Sequence, residues 1–213
     1  LGSHIADRLI EQGNEVSGCD NLIGGYMENV PEDSEFYQVD AIYLNQMKKM
    51  TKDVDLIIHT ACTAYEGLSV FSPYLVGQNT YQISMSVFTA ASQNGVNKVI
   101  NCSSMARYGE QDVVPFHEGL TPKPQDPYGI AKLASEQTLD VLSKVHEFDY
   151  VNLVPHNIIG PRQKFDDPYR NVVSIMINSL GATPLEELYI VSKKVNEIFL
   201  KKNVEIIKSY VGR

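Results

Sequence analysis

Short apolar segments alternate with longer helical segments along most of this chain. Strands are predicted at residues 15–19, 35–39, 55–58, 98–102 and 150–154. Helices are predicted at residues 5–12, 73–93 and 128–146. A strand such as Asp55-Leu-Ile-Ile58, which is almost entirely apolar, is typical of a sheet covered by helices on both faces. Because parallel strands need helical crossovers between them, the alternation predicts an α/β protein with a doubly wound parallel sheet.

The composition limits the classes of partner. The chain has 213 residues and a formal net charge of −8, and no cluster of Lys and Arg stands out, which disfavours nucleic acids and anionic membrane surfaces as partners. It has no apolar run of about 18 residues and no signal-peptide pattern, so we expect a cytoplasmic protein without a membrane anchor. Cys19, Cys62 and Cys102 lack the spacing of metal ligands, so we expect buried free thiols and no bound metal.

The segment Tyr128-Gly-Ile-Ala-Lys132 is the strongest candidate for catalytic chemistry. Residues four apart lie on the same helix face, and a nearby ammonium lowers the pKa of a phenol, which is ordinarily about 10. Ser104, 24 residues earlier, would add a hydroxyl that holds an alcohol or carbonyl against the phenol. The alternative is a solvated pair on a helix surface, which is how we interpret the second match, Tyr189 to Lys193, because no strand precedes it.

Candidate ligand-binding residues follow the predicted strands, at the sheet edge where α/β proteins bind ligands. Asp20 lies at about the 20-residue distance from Gly2 that separates a phosphate-binding glycine from a ribose-binding carboxylate. A carboxylate there favours NAD over NADP because it repels a 2′-phosphate. The alternatives are a turn or capping role for Asp20 and a simple helix start for Gly2. The other strands are followed by Asp40, by His59-Thr60-Ala61, by Ser104 and by Asn157.

Several segments of the chain together resemble one family. They are Leu1-Gly2-Ser3-His4, Asp20-Asn21-Leu22, Asp40, His59-Thr60-Ala61-Cys62, residues 103–109, residues 124–132 and residues 156–163. These segments are similar to motifs of the extended short-chain dehydrogenases/reductases, and most of all to UDP-glucose 4-epimerase-like members of the NAD-dependent epimerase/dehydratase group. The resemblance runs from Gly2 to about Leu180. It implies a Rossmann-like, doubly wound parallel sheet with a small, incomplete C-terminal substrate lobe.

The resemblance also implies a site and a reaction. Tyr128, Lys132 and Ser104 would be catalytic, and Ser104 and Asn157 would bind the substrate, a nucleotide sugar such as a UDP-hexose. NAD would be bound by Gly2, Asp20, Asn21, Asp40, Ala61, Asn79, Tyr128 and Lys132. Tyr128 would remove the proton of the sugar 4-hydroxyl while the C4 hydride passes to NAD. The 4-keto sugar would then turn and receive the hydride on its other face, and Tyr128 would return the proton to the oxygen. Family members pair through two long helices, here around residues 73–93 and 128–146, so a homodimer is expected.

Related functions stay open. A 4,6-dehydration needs further acid and base groups, and Met105-Ala106 stand where related dehydratases carry Asp-Glu. A simple reductase of the family would consume NADH. Asn79 could cap a helix, and Asn157 could stabilise its own turn. For His59, on an apolar strand, we favour a structural role over one as a base.

The chain departs from the family pattern in ways that predict a fragment. The first two glycines of the phosphate loop are absent, and after Leu180 the sequence continues with a stretch that resembles a much later part of family members. We therefore expect an NAD-binding domain at residues 1–154 without its first strand. A remnant of the substrate-binding lobe is expected at residues 155–213, with a gap near 180/181. A non-catalytic, truncated nucleotide-binding protein is the alternative from a different functional class.

Overall fold

The computed structural model describes residues 1–164. The helices are α1 Gly2–Glu11, α2 Leu44–Met50, α3 Glu66–Ser69, α4 Pro73–Gly77, α5 Ile83–Asn94 and α6 Pro127–His146. The strands are β1 Ser17–Asp20, β2 Glu35–Gln38, β3 Leu56–His59, β4 Lys98–Cys102 and β5 Asp149–Leu153. A π-helix, Gln78–Gln82, joins α4 to α5, and 3-10 helices occur at Met27–Asn29 and Met105–Arg107. The predicted gap near 180/181, the Tyr189–Lys193 pair and most of the predicted lobe at 155–213 lie outside the described residues.

All the strands predicted from the sequence are present, and each lies within two residues of its predicted bounds. They form two ladders, β1-β2 and β3-β4-β5, in which every pair is parallel. Lys98 of β4 pairs with Leu56 on one side and Asp149 on the other. Within residues 1–164, no strand pairs with both ladders. The parallel α/β architecture predicted from the alternation is confirmed.

The core lies between the helices and the β3-β4-β5 ladder. Phe88 of α5, Val99 of β4 and Leu139 of α6 are each 0% exposed. The same cluster takes in Ala90 and Ala91, whose small side chains let α5 pack closely. None of the helices within residues 1–164 has both the length and the apolar character needed to cross a membrane.

The long helix predicted at residues 73–93 is interrupted. The π-helix Gln78–Gln82 inserts a wider turn between α4 and α5, and α5 then continues to Asn94 and ends at Gly95 with a φ of 68°. A π-turn holds one more residue than an α-turn, so it rotates the side chains that follow it about the helix axis. Asn79 lies on this segment, which means that the wider turn sets the direction of a residue predicted to bind the cofactor.

The start of α6 is fixed by its own sequence and by close packing. Asp126 caps the helix, its Oδ1 accepting a hydrogen bond from the Gly129 amide at 2.9 Å, and Pro127 occupies the first turn. A Cβ added at Gly129 would lie 2.6 Å from the Ala106 carbonyl oxygen. This glycine therefore lets α6 approach the 3-10 helix Met105–Arg107, and the contact places Tyr128 beside the exit of β4.

Candidate active site

The exit of β4 and the start of α6 bring two predicted catalytic side chains together. Tyr128 is 5% exposed, and the side chains of Ser104 and Cys62 lie next to its phenol. Ser104 is held in place because it caps the 3-10 helix, its Oγ accepting a hydrogen bond from the Ala106 amide at 3.2 Å. The two residues that the sequence paired across 24 positions are therefore neighbours in the structure.

Lys132 completes the predicted group. It is 2% exposed, and its Nζ donates a hydrogen bond to the Cys102 carbonyl oxygen at 2.7 Å. The same Nζ lies 5.8 Å from the centre of the Tyr128 ring. One buried ammonium thus lies beneath the phenol and is anchored to the last residue of β4.

The sequence predicted that Lys132 lowers the pKa of Tyr128. With the side chains of residues 1–164 alone, this prediction is wrong, because the pKa of Tyr128 is raised. Burial raises the pKa of the phenol far above its ordinary value, because a phenolate loses hydration in the interior. The nearby Cys62 thiol raises this pKa further, and the nearby Ser104 hydroxyl lowers it only in part. Tyr128 would therefore need additional positive charge close to it to act as a base near neutral pH.

The structure agrees with the structural role that the sequence favours for His59. Its Nε2 lies 3.0 Å from Ser84 Oγ, and its ring meets Phe88 edge-on with 5.6 Å between centroids. The Ser84 hydroxyl donates to the Thr80 carbonyl, so it accepts a hydrogen bond from the imidazole N–H. Burial, with a smaller contribution from the charge of Lys132, lowers the pKa of His59 to about 3. A neutral, buried imidazole of this kind packs in the core at the end of β3 and holds that strand against α5.

The residues predicted to bind the adenosine half of a dinucleotide lie together at the ends of β1 and β2. Asp20 Oδ1 accepts a hydrogen bond from the Leu22 amide at 2.7 Å, and its Oδ2 takes no part in that turn. Asp40 Oδ2 accepts a hydrogen bond from Asn21 Nδ2 at 3.0 Å, and its Oδ1 accepts one from the Ile42 amide at 3.0 Å. The pair Asn21 and Asp40 therefore joins the two strand ends, and Asp20 keeps acceptor capacity for a ligand.

The remaining predicted residues surround the exits of β3 and β5. Gly2 begins α1 against the exit of β3, where an added Cβ would lie 3.4 Å from Thr60 Oγ1. Ala61 is half-buried against the core, and Asn79 Nδ2 donates to Thr63 Oγ1 at 3.1 Å. Asn157 is exposed in the segment after β5, and its amide donates to His156 Nδ1 at 2.7 Å.

Sequence reasoning missed three contributors to the site. Cys62 contacts the phenol, and it is a free, partly exposed thiol rather than a buried one. Glu66 of α3 adds negative charge near Tyr128, and burial and Asp126 raise its own pKa. Glu136 lies one turn beyond Lys132 on α6 and is buried. The four-residue spacing from Lys132 was a visible signal for Glu136, whereas Cys62 and Glu66 are brought close only by loops after β3.

Comparison with known proteins identifies the family. Residues 1–195 match the model of the NAD dependent epimerase/dehydratase family. A putative UDP-glucose 4-epimerase of Methanocaldococcus jannaschii is 30% identical over 84% of this chain and 59% of its own length. The UDP-N-acetylglucosamine 4-epimerase of Methanobrevibacter ruminantium M1, in complex with UDP-N-acetylmuramic acid, is 35% identical with a TM-score of 0.77 over 84% of this chain. The UDP-glucose 4-epimerase of Thermus thermophilus, in complex with NAD, is 32% identical with a TM-score of 0.76 over 83% of this chain.

The chain is a member of the NAD dependent epimerase/dehydratase family. This confirms the family, the Rossmann-type fold and the cofactor class that the sequence motifs predict. The chain spans 58% of each of these two solved structures and 59% of the curated relative. The reaction, the substrate and the assembly of the protein are therefore proposals.

Proposed function

We propose that the protein containing this chain interconverts the C4 epimers of a UDP-hexose with tightly bound NAD. The observation that carries the proposal is the buried phenol of Tyr128, which has the Ser104 side chain next to it and Lys132 Nζ 5.8 Å from its ring centre. A hydroxyl, a phenol and an ammonium at one strand exit are suited to proton transfer at a secondary alcohol. The relative from M. jannaschii and the structure from T. thermophilus, both named UDP-glucose 4-epimerases, support this choice of reaction.

The chain's own residues fit the proposed cofactor. The carboxylate of Asp20 can accept hydrogen bonds from ribose hydroxyls, the pair Asn21 and Asp40 can hold adenine, and Lys132 can hold the nicotinamide ribose. Gly2, the start of α1, would meet the pyrophosphate, and Ala61 and Asn79 would line the same side. When bound, oxidised NAD supplies a hydride acceptor and a positive charge.

Each catalytic side chain then has one task. Ser104 donates a hydrogen bond to the oxygen at the sugar C4 and holds it against Tyr128. Tyr128 takes the proton of that oxygen and later returns it. Lys132, whose Nζ lies 5.8 Å from the centre of the phenol ring and donates to the Cys102 carbonyl oxygen, holds the nicotinamide ribose beside Tyr128. Asn157, exposed after β5, can donate to the diphosphate of the nucleotide sugar.

Dehydration and simple reduction are less well supported. Met105 and Ala106 directly follow Ser104 and form the start of the 3-10 helix, and neither side chain can transfer a proton. A reductase would need no second proton-transfer step, and nothing at the site favours it over epimerisation. Incubation with UDP-glucose separates epimerisation from dehydration, because a 4-keto-6-deoxy product indicates dehydration. A reductase would instead consume NADH stoichiometrically with a keto sugar nucleotide as the substrate.

The test of the proposal is the formation of UDP-galactose from UDP-glucose by the full-length protein. We expect conversion to an equilibrium mixture without net consumption of NAD. Tyr128→Phe should abolish it. Unchanged turnover in Tyr128→Phe would remove Tyr128 from the mechanism. Intact mass spectrometry separately tests the truncated, non-catalytic alternative, which requires a mass no larger than that of the 213 residues.

A homodimer is part of the same proposal. Exposed apolar side chains lie on the two helices expected to form the interface, with Tyr74 81% exposed on α4 and Val145 68% exposed on α6. Leu75, Ile130 and Val141 lie on the same helices and are also exposed. Sedimentation at equilibrium should give twice the chain mass, and a monomer would refute the pairing. A cytoplasmic location and the division into residues 1–154 and 155–213 remain predictions.

A further inference from the structure

A buried ion pair lies directly behind the candidate active site. Arg107 Nη1 contacts Glu136 Oε2 at 2.8 Å, and the two side chains are only 17% and 7% exposed. The Ser103 hydroxyl donates a hydrogen bond to the other carboxylate oxygen, Oε1. The Arg107 guanidinium also lies over the Tyr108 ring, 5.0 Å from its centroid. The carboxylate of Glu136 therefore binds one partner at the exit of β4 and one on the 3-10 helix.

These contacts join the pieces that carry the proposed catalytic residues. Ser103 directly precedes Ser104, and Arg107 ends the 3-10 helix that Ser104 caps. Glu136 is one helical turn beyond Lys132, so it lies on the same face of α6. One carboxylate thus fastens the Ser104 segment to the helix that presents Tyr128 and Lys132.

The charges around Glu136 depend on one another. The groups that face it are Ser103 from β4, Arg107 from the 3-10 helix, Lys132 from α6 and Tyr150 from β5. Burial raises the pKa of Glu136, and Ser103, Arg107 and Lys132 oppose that rise. Arg107 therefore helps to keep Glu136 ionised.

Stability alone is a weak explanation for such a pair. Taking two charges out of water costs most of what their attraction returns, and replacing both partners with apolar side chains of similar volume is often neutral. Removing one partner is different, because it leaves the other charge buried and unpaired. What the pair adds at this place is a defined geometry between two segments that must act together.

We propose that Arg107 and Glu136 are a positioning pair, which fixes Ser104 against the part of α6 that carries Tyr128 and Lys132. The inference rests on the proposed function for its kinetic consequences, since it assigns positioning residues to that same site. Neither Arg107 nor Glu136 contacts the substrate in this scheme. Both act through Ser104, Tyr128 and Lys132.

The test compares Arg107→Met, Arg107→Lys and the double variant Arg107→Met/Glu136→Leu with the wild-type protein. Arg8→Met is the matched control, because Arg8 forms an ion pair with Glu11 in which the side chains are 69% and 63% exposed. We expect kcat for UDP-glucose to fall about tenfold to hundredfold in Arg107→Met, with KM changed by less than about threefold. Arg107→Lys should recover part of kcat, and Arg8→Met should match the wild type.

The double variant separates a positioning role from a role in stability alone. In Arg107→Met the unpaired carboxylate of Glu136 is left buried, so the melting temperature and kcat should both fall. The double variant should regain the wild-type melting temperature but keep the low kcat. Recovery of kcat together with stability in the double variant, or an unchanged kcat in Arg107→Met, would overturn the proposal.

If the wild-type protein does not convert UDP-glucose, the proposed function is refuted but the positioning role is not. Amide hydrogen exchange then tests the positioning role without an activity assay. Peptides covering residues 103–107 should then exchange faster in Arg107→Met and in the double variant, while peptides of α1 stay unchanged. Unchanged exchange at residues 103–107 in both variants would overturn the positioning role by itself.

Discussion

Buried His59 should make the folded protein sensitive to acid, and His59→Gln should remove much of that sensitivity. The folded state lowers the pKa of His59 from 6.5 to about 3. An imidazole with a depressed folded pKa contributes stability above pH 6.5, and this contribution is lost as the pH falls toward 3, because the unfolded chain binds the proton first. The largest possible loss is about 5 kcal/mol, and about 2.7 kcal/mol of it is reached at pH 4.5.

The assay is urea unfolding followed by circular dichroism at pH 7.5, 5.5 and 4.5. Gln keeps an N–H donor for Ser84 but cannot take up a proton, and Glu66 and Glu136 titrate alike in both proteins. The fall in unfolding free energy between pH 7.5 and 4.5 should therefore be smaller in His59→Gln by about 2–3 kcal/mol. His146→Gln, at an exposed position on α6, is the control and should keep the wild-type pH dependence. Equal pH dependence in wild type and His59→Gln would refute the reasoning.

Three further predictions concern packing, capping and the cofactor. Gly129→Ala places a Cβ 2.6 Å from the Ala106 carbonyl oxygen, so thermal unfolding should show a loss of about 1–3 kcal/mol, and unaltered stability would contradict the close approach of α6. Asp126→Ala removes the cap that binds the Gly129 amide and should cost about 1 kcal/mol in the same measurement, whereas Asp126→Asn should retain most of it. Asp20→Asn removes the charge that repels a 2′-phosphate, so calorimetry should show weaker NAD binding and a smaller preference over NADP. An unchanged preference would place the ribose elsewhere.

Local patterns predicted the architecture well because they act within single elements. The apolar run of β3 and the alternation of strands and helices fix a parallel sheet whatever the loops do. The pairing of Ser104 with Tyr128 also followed from sequence, since both flank elements whose ends meet at one sheet edge. The cofactor class followed from Asp20 and the family motifs in the same way.

Features that depend on packing could not be read from the sequence. The π-helix at Gln78–Gln82 adds one residue to a turn without breaking the apolar pattern of the predicted helix. The pKa of Tyr128 was predicted in the wrong direction because spacing reveals the neighbouring Lys132 but not the degree of burial. Arg107 and Glu136 are far apart in sequence, and their contact exists only because Gly129 lets α6 lie against the 3-10 helix.

The most direct test of the central proposal follows the hydrogen on C4 of the sugar. UDP-[4-²H]glucose is incubated with the full-length protein in ordinary water, and the products are analysed by NMR. Epimerisation through Tyr128 and a recycled hydride acceptor predicts UDP-galactose that keeps deuterium at C4, with none formed by Tyr128→Phe. Loss of the deuterium to water, or the same yield from Tyr128→Phe, would contradict the proposal.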